Sequence, residues 1–167
     1  MSPLRAASVA LLVLIAVICE AVVLTRLPLP GPTPDLVLLV VIAVALTAGA
    51  NAGAVTGFGA GALASLAPPS LAPVGLACLV YTCVGYFVGS RAAGERLARG
   101  ELAAIAGSAG AVVAAGTIAV VAIWGQGWPG FIPAVMIVAA QTGYCALLAV
   151  VITPAVIGAV AIAPGRG

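Results

Sequence analysis

Histidine is absent from this chain, and the acidic residues number only four: Glu20, Asp35, Glu95 and Glu101. Without histidine, a Ser-His-Asp triad or a Cys-His pair has no base. Zinc sites lose their commonest nitrogen ligand for the same reason. The four cysteines, Cys19, Cys78, Cys83 and Cys145, form no CxxC pair and lie in apolar stretches. They read as small buried hydrophobes rather than metal ligands or a disulfide framework. No GxxxxGK[ST] phosphate loop occurs, and no basic run suggests nucleic acid. The sequence therefore predicts a non-enzymatic protein with no catalytic residue, no cofactor and no metal.

What is present is apolar surface. Hydrophobic residues make up 64% of the 167, charged residues 6%, and mean hydropathy is +1.33. So few charges cannot coat a soluble surface, and apolar runs of span length predict an integral membrane protein. The expected fold is all-α: one polytopic membrane bundle over residues 1–167, with about six spans.

The first apolar run follows Arg5 and gives a span at 6–24, read as uncleaved because no A-x-A site follows it. Four prolines between Pro28 and Pro34 cannot continue a helix and form a surface loop. Asp35 then opens a new run, where its carboxylate can cap free N–H groups. Residues 35–67 as one helix would measure ~50 Å, against a hydrocarbon core of about 30 Å. A break at Asn51 divides them into spans 35–48 and 52–67. Pro68, Pro69 and Pro73 mark the next loop. Spans at 74–90, 102–123 and 132–152 follow, the last weakened or kinked at Pro154. Trp124 and Trp128 sit where an interfacial aromatic belt is expected.

With the N-terminus inside, Arg5, Arg91, Arg96, Arg99 and Arg166 are cytoplasmic and only Arg26 is outside. The expected location is the plasma membrane, multi-pass, with both termini cytoplasmic. A five-span alternative with the N-terminus outside scores equally by charge; length and Asn51 favour six.

Small residues recur every four positions at Gly49, Gly53, Gly57, Gly61 and Ser65. That spacing places them on one stripe of a helix, where missing Cβ atoms let another helix approach closely. The stripe is expected to be a helix-packing face toward a partner. Leu substitutions off it, at Ala60 or Ala62, are expected to be milder than at Gly57 or Gly61.

Several pieces in order carry a resemblance to a known family. They are Leu24-Thr-Arg26-Leu-Pro28, Pro34-Asp35-Leu36, Gly53-Ala-Val-Thr-Gly57-Phe58-Gly-Ala-Gly61, Leu66-Ala-Pro68-Pro69, Leu79-Val-Tyr81 and Val84-Gly85-Tyr86. Over residues 20–91 the chain resembles the rod shape-determining protein MreD family, in its actinobacterial-type form. It departs from the pattern at Ser65, where the family usually has Asp, and at Glu20, where Gln is common. The resemblance implies a scaffold subunit of the cell-elongation, peptidoglycan-synthesising complex. Its implied partners are a bitopic MreC-like protein and, through it, an MreB-like cytoskeleton and wall-synthesis enzymes. The family motif marks Pro34, Asp35, Phe58, Pro68, Pro69, Gly85 and Tyr86. The family's fold is similar to the substrate-binding subunits of energy-coupling-factor transporters, which supplies the alternative of a small-solute-binding subunit.

A solute pocket in lipid needs convergent polar groups. The candidates are Glu20, Asn51, Thr56, Ser65, Thr82, Ser108, Thr117, Gln141 and Thr142. Most are hydroxyls that can satisfy themselves on their own helix backbone. Glu20 is expected near an outer helix end, within reach of water.

Overall fold

The computed structural model describes residues 3–22, 34–66, 75–92, 98–123 and 130–162. They form six α-helices and no strand: α1 (Pro3–Val22), α2 (Leu36–Ala48), α3 (Ala50–Leu66), α4 (Leu76–Ala92), α5 (Arg99–Ile123) and α6 (Phe131–Ile162). Two helical segments, Gly100–Val120 and Phe131–Gly158, are long and apolar enough to cross a membrane. Shorter apolar helices are Ala6–Val22, Leu36–Ala48 and Leu76–Arg91.

The core is built around α2. Its sequence, LVLLVVIAVALTA, is apolar on every side, the pattern of a helix with no face for a polar surrounding. Every residue from Val37 to Leu46 is buried, and α2 touches all five other helices. Around it, the other helices bury many small side chains, such as Ala16, Ala60, Ala106, Ala109 and Ala149, with a few larger ones such as Val13, Tyr81 and Leu102. Other large apolar side chains point outward, among them Leu11, Phe58, Leu79, Met136 and Leu147.

The break between α2 and α3 falls at Gly49 rather than at the expected Asn51. Gly49 adopts φ 85°, a left-handed backbone that side chains with Cβ rarely take, and its N–H closes α2 on Ala45 O at 3.0 Å. Asn51 is exposed within α3. The expected end of the last span at 152 is also corrected, since α6 runs through Pro154 to Ile162. Proline removes one backbone donor, and that loss does not terminate this helix. The loops expected at Pro68, Pro69, Trp124 and Trp128 lie outside the described residues.

Helices α3 and α4 form the most intimate pair, and α5 packs chiefly on α6. At the α3–α4 seam glycines bring backbone against backbone. A Cβ on Gly53 would lie 2.5 Å from Gly85 O, and one on Gly61 would lie 2.5 Å from Cys78 Cα. A Cβ on Gly57 would collide with the Tyr81 carbonyl, and one on Gly89 would lie 2.6 Å from Ala50 N. No side chain can enter such gaps without moving a backbone.

Candidate functional site

The fold gathers polar side chains from separate elements at the start of α2. Asp35 is its N-cap, as the sequence suggested, with Oδ1 accepting from Leu38 N–H at 2.8 Å. The other oxygen, Oδ2, accepts from the Tyr81 hydroxyl of α4 at 2.5 Å, across 46 residues of sequence. Asp35 and Tyr81 are both buried, 4% and 6% exposed. Glu20, from the last turn of α1, reaches the same helix start, its Oε2 3.5 Å from Val37 N. Cys145 of α6 lies against the Asp35 backbone. Glu20 is partly buried in the last turn of α1, near a helix end as expected, and its carboxyl group also reaches the free N–H groups at the start of α2.

The Tyr81 backbone packs against Gly57, near the middle of α3, while its side chain turns to the start of α2. The cluster therefore ties α1, α2, α4 and α6 together at one level. A buried carboxyl group is costly unless its lone pairs are matched, and here two donors serve Asp35. The Tyr81 and Glu20 contacts join helices, and the Leu38 bond caps α2 itself. Among the described residues no group of three His, Cys, Asp or Glu side chains is placed to hold a metal ion.

The small-residue stripe has a clear location. Gly53, Gly57 and Gly61 face α4 of the same chain. Ser65 is buried above them and donates to Gly61 O at 2.7 Å. Gly49 belongs to the turn, where an added Cβ would meet nothing within 4 Å. At Gly53, Gly57 and Gly61 the face expected to meet a partner is therefore covered by α4. Ala60 is also buried, at 1% exposure, so its expected mildness toward Leu is corrected. Residues three apart share a helix face, which places Ala60 beside Gly57.

The motif residues divide into two sets. Pro34, Asp35 and Gly85 are buried, with Gly85 against Gly53. Phe58 and Tyr86 are outward, 61% and 49% exposed, and Tyr86 meets Phe87 edge-on with ring centroids 6.1 Å apart.

The solute-pocket candidates do not converge. Thr82 donates to Cys78 O, Ser108 to Ile105 O, Thr117 to Val113 O and Thr142 to Val138 O, each within its own helix. Gln141 is buried with Oε1 unbonded among the described residues, and so is Thr153 Oγ1, which the sequence did not single out. Thr153 lies on the same line of α6 as Gln141, Cys145 and Ala149, at four-residue spacing. All four are buried. Cys19 is half-buried and Cys83 is exposed, so only Cys78 and Cys145 match the expected buried cysteines.

A groove of about 590 Å³ runs between α4 and α5, lined by Leu79, Cys83, Phe87, Ile105 and Val112 among others, with Arg91 at one end. No protein-family model, curated protein or solved structure matches this chain.

Proposed function

We propose that this chain is a membrane-embedded, non-enzymatic scaffold subunit of the bacterial cell-elongation machinery, of the MreD kind. In this reading it crosses the plasma membrane six times with both termini cytoplasmic. It packs against a bitopic MreC-like protein and through it serves an MreB-like cytoskeleton and the wall-synthesis enzymes. Membrane embedding is supported by the two long apolar helices and by large apolar side chains on the outside of the bundle, where a soluble protein would carry charge.

The observation that carries the scaffold reading is the division of the motif residues. Asp35, Gly57, Gly61, Tyr81 and Gly85 are used up inside the bundle, in the α2 cap and the α3–α4 seam. Phe58 and Tyr86 are left over, outward and without a packing role in the core, and aromatic side chains of this kind anchor protein contacts. The partner is therefore met through the outer aromatic faces of α3 and α4.

The alternative, a small-solute-binding subunit, has one observation on its side, the buried Gln141 oxygen. Against it, hydroxyls along α4, α5 and α6 are bonded within their own helices.

The test is affinity isolation from native membranes. The wild-type chain should bring a bitopic MreC-like protein, and Phe58→Ala should lose it while keeping its thermal unfolding midpoint in detergent. A stoichiometric water-soluble solute that disappears in Gln141→Leu, with no accompanying protein, overturns the reading. For topology, single cysteines at Thr33, Ser70 and Gln126 should react with an impermeant thiol reagent from outside, and one at Arg96 should not. Protection at Thr33 with labelling at Ser2 requires five spans.

A further inference from the structure

We propose that the groove between α4 and α5 is a lipid site, holding an acyl chain of an anionic phospholipid with its headgroup phosphate against Arg91. The inference rests on the membrane-embedded part of the reading above and is independent of any protein partner.

The walls decide the chemistry of the occupant. Leu79, Phe87, Ile105 and Val112 present hydrocarbon, and Ser108 turns its hydroxyl to Ile105 O at 2.9 Å. A water-soluble solute would find almost no donors or acceptors there. Water is also a poor filler, because it needs two to four polar partners. An alkyl chain recovers dispersion contacts with both walls.

The length, and the one charge among the described lining residues, decide between a lipid and a helix. From Leu79 to Arg91 the groove follows twelve residues of α4, ~18 Å of helix. That is close to one leaflet, about half of a ~30 Å hydrocarbon core. A partner's transmembrane helix would need the full thickness and would leave through both ends. Among the described residues this groove instead carries a cation toward one end: Arg91, in the last turn of α4, is exposed and lines it. A guanidinium matches a phosphate through paired N–H donors. An apolar slot one leaflet deep with a cation at its mouth has the polarity of a phospholipid.

Packing explains why the gap persists. Contact between α4 and α5 is sparse, and a Cβ added to Gly116 would approach α4 only at Val80 Cγ2, 3.9 Å away. Two helices in lipid have no hydrophobic force closing them together.

The test reconstitutes the full chain into vesicles of phosphatidylglycerol or phosphatidylcholine, then extracts it mildly and counts retained lipid by native mass spectrometry. A photoactivatable phosphatidylglycerol maps the contact by peptide analysis. Wild type should retain one phosphatidylglycerol in preference to phosphatidylcholine, with crosslinks in 79–91 and 105–112. Arg91→Gln should cut that preference about tenfold, the scale of one charge-assisted contact. Ser108→Phe, which places a ring in the groove from an exposed position, should remove retained lipid and crosslinks together. Circular dichroism and the unfolding midpoint confirm that both variants fold. Equal retention of the two lipids, unchanged retention in Ser108→Phe, crosslinks elsewhere, or a protein helix crosslinked in the groove would each overturn the proposal. A chain that does not insert into vesicles sinks the membrane reading itself; one that inserts without retaining lipid sinks only this inference.

Discussion

Helix α4 has two faces with opposite fates. Toward α3 it meets glycines at every fourth position, and the two backbones touch along Gly53–Gly85, Gly57–Tyr81 and Gly61–Cys78. Toward α5 it presents Leu79, Cys83 and Phe87, and the helices stand apart around a groove of about 590 Å³. The difference lies in what is missing at the contact. Close backbone packing of two helices requires small residues in register. The seam has that register along α3, at Gly53, Gly57 and Gly61, and α4 answers it with Gly85 and Gly89 and with the backbone of Cys78 and Tyr81. The groove face carries long side chains that hold the helices apart without filling the space between them.

The sharpest way to break this contrast is to close the seam. Gly57→Leu or Gly61→Leu drives a side chain into backbone atoms that cannot rotate away. Overpacking ordinarily costs about 1–3 kcal/mol, and a backbone collision exceeds that range. Loss of folded protein is therefore expected by size-exclusion profile after extraction. A gentler comparison is Gly57→Ala against Gly59→Ala, since a Cβ on Gly59 meets nothing within 4 Å. Gly57→Ala should lower the unfolding midpoint, whereas Gly59→Ala should hold or raise it, alanine being about 1 kcal/mol better than glycine inside a helix.

Next in size is Tyr81→Phe, which keeps the buried ring but leaves Asp35 Oδ2 without its donor. A buried acceptor stripped of its partner costs about 1–3 kcal/mol, readable as a lower denaturation midpoint. Asp35→Ala should match or exceed it, because the cap on Leu38 N–H is lost as well. The smallest effect belongs to the groove face. Leu79→Ala, at a residue 65% exposed, should change stability by no more than about 0.5 kcal/mol.

Much of this arrangement is legible in the residues, and its limits are physical. Helix positions follow from apolar run lengths and prolines. Asp35 as a cap follows from its place after Pro34, and the hydroxyls' return to their own backbones follows from helix geometry. The stripe itself is visible as a period of four. What occupies it is not, because a stripe of glycines specifies a close neighbour without specifying which helix. The Asp35–Tyr81 bond joins positions 46 apart, and no local pattern encodes that pairing. Thr153 escapes notice for the same reason, since its burial depends on what α6 packs against. Ala60 is a different case: its three-residue offset from Gly57 marked it for the buried side, and the strict four-residue count obscured it.

Two native cysteines report the contrast without any substitution. Cys78 is buried in the seam against Gly61, and Cys83, little more than one turn later, is exposed in the groove. The wild-type protein, folded in detergent, is treated with a small membrane-permeant maleimide, and its peptides are followed over time by mass spectrometry. The account predicts that Cys83 is modified while Cys78 stays unmodified until the protein is denatured. Equal rates at the two thiols, or faster reaction at Cys78, would contradict a closed α3–α4 seam beside an open α4–α5 groove.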